Sequence, residues 1–270
     1  MLWSFCTVLL LFSLYLFLIA PAKHGKKDVS KLLGWHYAHR GLFDNEKGVP
    51  ENSLAAIQKA VEHGYGIELD VQFTQDGEIA VFHDKNLERM CGRDIHLSKI
   101  ASSDLCACHL AGTCETIPLF SDVLAAVNGR VPLIVEIKHY GDVAALSAKV
   151  NDLLSRYNGP YCVESFHPLA MRWFKKNAPE VIRGQLASGI LNKETSRSLQ
   201  RILKYLLLNA FSRPDFIAYD VRSNENASLW LIRRLFKPLF VAWTVRTGDE
   251  EIKAGKRYSL QIFEGHTPGH

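Results

Sequence analysis

Gly66-Ile67-Glu68-Leu69-Asp70-Val71-Gln72-Phe73-Thr74 decides how the rest of this chain is read. The run reads as a strand. It is followed by Asp76-Gly77, a strong tight-turn signal, and by Glu78–His83, a second strand that returns beside it. Glu68 and Asp70 are separated by one residue, a spacing that points both carboxylates to the same side of a strand. Glu68 sits between Ile67 and Leu69, and in a parallel strand buried on both faces a charge needs a partner. The stretch therefore predicts a sheet that places paired acids in a covered site.

Working outward, the same alternation continues. Trp35–His39 reads as a strand ending in a polar cluster, followed by helical spacing over Ser53–His63 with an Asn52/Ser53 cap and a stop at Gly64. Downstream, Pro132–Lys138, Tyr161–Phe166, Val181–Ala187, Phe216–Val221, Phe240–Arg246 and Ser259–Glu264 read as strands, with helical segments between them. Strands alternating with helices imply a parallel sheet. Nine strand candidates are one too many for a regular (β/α)8 TIM-type barrel, and the hairpin around Asp76-Gly77 accounts for the surplus. Residues 86–117 break the rhythm and read as a small insertion after the third strand. An open doubly wound sheet is the weaker alternative, because no Gly-rich phosphate loop follows the first strand.

Composition agrees with one folded domain. The chain has 270 residues, 47% hydrophobic and 22% charged, without a long block of either sign. Its net charge of +4 favours anionic substrates but makes no case for nucleic acid, and nothing implies a protein partner. Residues 1–22 carry no charged side chain, and about 20 apolar residues can span a bilayer as a helix. Ala20-Pro21-Ala22 has some likeness to a signal cleavage site, but no Lys or Arg precedes the apolar run. The expectation is a transmembrane anchor over 1–22, a polar linker over 23–33 and a barrel over 34–270. Lys23, Lys26, Lys27 and Lys31 follow the anchor, which predicts a single-pass membrane protein with its barrel on the cytoplasmic side. Cys91, Cys106, Cys108 and Cys114 crowd into one segment. A cytoplasmic location would keep them as thiols, with disulfides or a metal site as alternatives.

The polar residues fall at strand ends, where barrel active sites gather. His39 and Arg40 end the first strand, and His83 and Asp84 end the returning one. Glu136 and Lys138 repeat the one-residue spacing, and Glu136 again lies between apolar neighbours, Val135 and Ile137. Three converging carboxylates, Glu68, Asp70 and Glu136, would repel one another unless a divalent cation sits among them. All-oxygen ligands select a hard ion, Mg2+ or Ca2+, although His83 could add a nitrogen. Arg40 and Lys138 suit an anionic group beside that ion, and a phosphoryl group fits best. Two histidines supply a general acid and a general base. A lone exposed Glu, Lys or His is more often a solvated or structural residue, so the inference rests on the constellation.

At these residues the sequence resembles the glycerophosphodiester phosphodiesterase family. The resemblance runs through His39-Arg40-Gly41, Pro50-Glu51-Asn52-Ser53, Glu68-Leu69-Asp70-Val71, Thr74 with Asp76-Gly77, and His83-Asp84. It continues in Glu136-Ile137-Lys138, Ser165-Phe166 and Ala242-Trp243-Thr244-Val245. It implies a barrel with an insertion after the His83 strand, His39 and His83 as catalytic pair, and Glu68, Asp70 and Glu136 as metal ligands. It also implies Arg40 and Lys138 as phosphate contacts, Glu51 as an orienting neighbour, and Phe166 and Trp243 as apolar walls on the glycerol side. The implied reaction is hydrolysis of a glycerophosphodiester to an alcohol and glycerol 3-phosphate. Lysophospholipase D-type action on lysolipids is the near alternative, and a catalytically inactive binding barrel is the alternative of another class. Arg246 stands where the family often has Asn, and Phe263-Glu264-Gly265 replaces an Asp-containing block.

Overall fold

The computed structural model describes residues 2–23, 27–138, 140–190, 197–223 and 225–268, so Lys26 of the lysine group lies outside the described residues. Nine strands form one sheet. They are β1 (His36–His39), β2 (Gly66–Phe73), β3 (Ile79–Val81), β4 (Leu133–Ile137) and β5 (Tyr161–Ser165), followed by β6 (Arg183–Ala187), β7 (Phe216–Asp220), β8 (Leu239–Val245) and β9 (Leu260–Phe263). The order is β1-β9-β8-β7-β6-β5-β4-β2-β3, and β1 also pairs with β2, which closes the ring. Every pairing in that ring is parallel, and β3 alone runs antiparallel, against the end of β2. This is an eight-stranded parallel β/α barrel with one extra strand, and the extra strand is the hairpin return after Asp76-Gly77.

The strands are nearly all apolar because both faces are covered. β4, β6 and β7 are buried at every residue. On the outer face, helices supply apolar stripes at helical spacing. Phe120, Val123, Leu124 and Val127 line one side of helix Phe120–Val127, the i, i+3, i+4, i+7 pattern of an amphipathic helix. On the inner face, Tyr37, Ile134, Cys162, Leu186, Ala218, Val241 and Ile262 pack against one another across the barrel. Strand side chains alternate, so the residue two positions on shares that inner face. Two positions on from Tyr37 is His39, from Ile134 is Glu136, and from Cys162 is Glu164. The polar site is thus the layer stacked directly above an apolar plug.

The N-terminal segment corrects the expectation of an anchor. Leu2–Ile19 is a helix of 18 residues. Among the described residues, no helix is long and apolar enough to cross a membrane. At 1.5 Å per residue, 18 residues extend about 27 Å, short of the roughly 30 Å hydrocarbon core. Nor does the helix stand clear of the barrel. Ile19 is fully buried beside Leu206, Ile217, Tyr219 and Leu229. Asn209 donates to the Ile19 carbonyl at 2.9 Å, and Arg213 donates to the Phe17 and Ala20 carbonyls at 3.1 and 2.7 Å. The Tyr15 and Ser228 hydroxyls meet at 2.7 Å. The single-pass placement, the cytoplasmic orientation drawn from the lysines and the membrane contact through this helix all fall with the span. The compartment argument for reduced thiols falls too, although all six cysteines are unpaired in this structure.

Candidate active site

The loop after β1 is shaped by its backbone. Arg40 and Gly41 both have positive φ, 57° and 81°. A Cβ on Gly41 would lie 2.8 Å from the Ala56 backbone, so glycine is required where this loop crosses the following helix. That crossing leaves the Arg40 N–H free to donate to Glu68 Oε2 at 3.2 Å. Its carbonyl accepts from the Asn52 N–H at 2.9 Å. Asn52 then donates its side-chain amide to Asp70 Oδ2 at 2.9 Å. Next to it, Ser53 caps the helix Leu54–Glu62 by accepting from the Ala56 N–H. One short loop therefore fixes an acid on either side of Leu69.

Glu68, Asp70 and Glu136 converge as the spacing suggested. Each offers a carboxylate oxygen, and these oxygens lie within 4.8 Å of one another. All three side chains are buried. Asp70 and Glu136 are opposite each other in the β2–β4 register. Lys138 Nζ bridges them, 2.8 Å from Asp70 Oδ1 and 2.9 Å from Glu136 Oε1. Arg40 reaches Glu51 Oε1 at 2.7 Å and Asp70 Oδ2 at 3.3 Å.

A fourth acid, Glu164, lies opposite Glu136 in the β4–β5 register, buried, with Oε2 lacking a hydrogen-bond partner among the described residues. Four buried carboxylates thus face two cations. Burial, followed by the neighbouring acids, pushes the Glu68 and Glu164 carboxyls well above the ordinary range. Burial opposes ionisation of Asp70 too, but Lys138, His83 and Arg40 outweigh it and hold that carboxyl well below its usual range. An all-oxygen, charge-deficient pocket of this kind fits a hard divalent cation.

The two histidines are held alike. His39 Nδ1 lies 2.5 Å from Glu264 Oε2, and its Nε2 lies 3.8 Å from Glu68 Oε2. His83 Nδ1 lies 2.6 Å from Asp84 Oδ1. Burial, then the Arg40 charge, lowers the His39 pKa against the opposing pull of Glu264. Glu264 itself resists burial through its bond to His39 and the charges of His39, Arg246 and Arg40, and its carboxyl is held down at about 2. Arg89 ties the His83 side together. Its Nε meets Asp84 at 2.6 Å, and its terminal nitrogens meet Glu51 at 2.7 and 2.9 Å. Glu51, expected as an orienting neighbour near the first histidine, bonds to neither histidine. It sits between Arg40 and Arg89. Phe166 and Trp243 meet edge to face at 5.4 Å beside the interior apolar cluster.

Three participants escaped sequence reasoning. Glu164 follows the apolar pair Cys162-Val163 but precedes Ser165 and has no charged residue two positions away, so its signal is weaker than that of Glu68. Glu264 directly follows β9, at a strand end, where polar residues mark barrel active sites. Arg89 lies in a segment without periodicity and left no signal.

A closed parallel barrel carries at one mouth a carboxylate cluster that could hold a metal ion, two carboxylate-held histidines and two cations suited to an anion, the layout of a hydrolase-type barrel. Residues 39–259 match the model of the glycerophosphoryl diester phosphodiesterase family, and the chain belongs to that family. It is 34% identical over 163 residues to a glycerophosphodiester phosphodiesterase of Caldanaerobacter subterraneus, over 55% of this chain and 65% of that one. It is 31% identical over 157 residues to Lysophospholipase D GDPD1 of Homo sapiens, over 53% of this chain and 48% of that one. The match thus spans about half the length of the human relative. In fold it is similar to the Oleispira antarctica phosphodiesterase solved with the product sn-glycerol-3-phosphate. The TM-score is 0.70 at 22% identity, over 86% of this chain and 93% of that one. A glycerophosphodiester phosphodiesterase from Thermotoga maritima gives a TM-score of 0.63 at 21% identity, over 85% of this chain and 94% of that one.

Proposed function

We propose that this chain hydrolyses glycerophosphodiesters to an alcohol and glycerol 3-phosphate, with Mg2+ or Ca2+ bound by Glu68, Asp70 and Glu136. The observation that carries the reading is the convergence of these three buried carboxylates within 4.8 Å at the mouth of a barrel of this family. Residues 34–270 form the catalytic barrel in this reading, with 86–117 as an insertion that lends Arg89 to the site.

Held by Glu68, Asp70 and Glu136, a divalent cation would supply the charge that polarises the phosphoryl oxygens. The chain's own residues do the rest. Arg40 and Lys138 hold positive charge beside the cluster, where it opposes the negative charge that grows on the phosphoryl group in the transition state. Both are already anchored by acids, so neither has to be ordered when substrate arrives. His39 and His83 are each gripped at Nδ1 by a carboxylate, which leaves Nε2 for the proton transfer. One removes a proton from the nucleophile and the other protonates the leaving alcohol. Glu51 holds Arg40 and Arg89 in register. Phe166 and Trp243 form an apolar wall for the glycerol side.

Lysophospholipase D-type hydrolysis of lysolipids is the second reading, favoured by the human relative's name and by the same apolar wall. Both readings are tested by product analysis on a panel of glycerophosphodiesters and lysolipids. Glycerol 3-phosphate from the small diesters supports the first reading. Turnover of the lysolipids alone favours the second. No turnover of any member would leave a binding barrel.

A further inference from the structure

We propose that Glu264 and Arg246 are positioning residues for His39, assembled by closure of the barrel; the role rests on the phosphodiesterase reading above. In the β1–β9 pairing Ala38 lies opposite Phe263, so His39, which ends β1, and Glu264, the residue just after β9, emerge side by side. In the β8–β9 pairing Val245 lies opposite the same Phe263, which brings Arg246 to the other flank of Glu264. The two carboxylate oxygens divide the work. Oε2 faces His39 Nδ1 at 2.5 Å, and Oε1 faces Arg246 Nε at 3.2 Å.

An ionised carboxylate only accepts hydrogen bonds, so the hydrogen it receives from His39 must sit on Nδ1. In the neutral ring Nε2 then carries the lone pair, and Nε2 is the atom turned toward Glu68. Arg246 keeps Glu264 from swinging away. The arrangement repeats at the other histidine, where Asp84 takes His83 Nδ1 and Arg89 Nε takes Asp84, both at 2.6 Å. The two differ in origin. Asp84 and Arg89 are local in sequence to His83, whereas Glu264 is 225 residues from His39. Barrel closure is thus a condition for an oriented His39, which gives the last strand a part in the reaction.

The test uses the full chain with Glu264→Ala, Glu264→Gln and Arg246→Gln. Partners that orient a site's ligands or bases typically contribute about 10–100-fold in activity. Glu264→Ala is expected to lower kcat on a glycerophosphodiester by that factor, with KM near that of the parent. Glu264→Gln keeps an oxygen acceptor and should recover part of the loss. Arg246→Gln should lose less, and the double variant Glu264→Ala/Arg246→Gln should lose no more than Glu264→Ala alone, because the pair acts as a unit. A second readout is the 15N spectrum of the His39 imidazole in metal-free protein. The parent should show a hydrogen on Nδ1, and Glu264→Ala should show mixed tautomers. A Glu264→Ala variant with parental kcat, or with the His39 tautomer unchanged, overturns the proposal. A parent chain without any phosphodiester turnover contradicts the functional reading instead, and the tautomer result still decides whether Glu264 fixes His39.

Discussion

At the amino ends of β6 and β7, Asp215 meets Lys27 at 2.6 Å and Arg183 at 3.5 Å, while at the opposite mouth Arg40 and Lys138 face four buried carboxylates. The first cluster is closed. Lys27 also donates to the Val181 carbonyl, and Arg183 donates to the carbonyls of Ser212 and Arg213. Most of its donors are spent on backbone oxygens, and Arg183 Nη1 lies 3.5 Å from Asp215 without a hydrogen-bond partner among the described residues. The second cluster is open. It has more negative charge than its own cations balance, and Glu164 has an oxygen without a partner among the described residues. Both clusters are ionic and buried, so burial alone does not separate scaffold from site. The sign of the imbalance does: two cations share one acid in the first cluster, and four carboxylates share two cations in the second.

The largest effect should follow from Glu68→Ala or Asp70→Ala. A cation at a phosphoryl group is worth several kcal/mol in the transition state, so turnover should fall by ~10³-fold or more. The melting temperature should hold or rise for Glu68→Ala, whose carboxyl is pushed above its ordinary range, and should fall for Asp70→Ala, which leaves Lys138 and Arg40 short of an acid. Steady-state kinetics beside a thermal melt checks both halves. The histidines come next. His39→Ala and His83→Ala should each cost about 10²-fold in rate, and the double variant should lose far less than the product of the two. If either single variant keeps the parental rate on a substrate with a poor leaving group, that histidine transfers no proton.

The closed cluster should respond the other way. Asp215→Ala leaves Lys27 and Arg183 largely buried without their acid, and stability should drop by about 3 kcal/mol. The kcat of the molecules that remain folded should be parental. A denaturant titration and an active-site-normalised rate decide it. Loss of kcat without loss of stability would erase the distinction between the two ends.

Much of the open cluster was legible in the sequence because strand periodicity is a local property. Glu68, Asp70, Glu136 and Lys138 announce a shared face by their one-residue spacing within apolar runs. Glu164 has no such partner two residues away, and only the apolar pair before it marks it. The Glu264–His39 contact depends on which strand closes the ring, and no local pattern encodes a pairing of residues 225 apart. The surplus strand was readable because Asp76-Gly77 demands a tight turn. The N-terminal helix shows the opposite limit. Hydropathy reports that Leu2–Ile19 prefers apolar surroundings, but not which ones, and Ile19 finds them in the barrel.

The smallest effect concerns acid stability. Glu264 is held at about 2 against an ordinary value of 4.5. A depressed carboxyl contributes stability that is fully present above its unfolded value and is lost as pH falls through its folded value. That contribution should disappear between pH 4.5 and about 2. Glu264→Gln should therefore melt with a shallower pH dependence across this window, as followed by thermal melts at stepped pH. An unchanged slope would mean that the Glu264 bonds add nothing to the folded state.

The open cluster's need for a cation is tested most directly by following a glycerophosphodiester by 31P NMR. The protein is first stripped with chelator, then supplied with Mg2+ or Ca2+, in parallel with Glu68→Ala. The parent should be silent in chelator and should release glycerol 3-phosphate once one of the two ions is restored, while Glu68→Ala stays silent throughout. Full turnover by the parent in excess chelator would contradict the account.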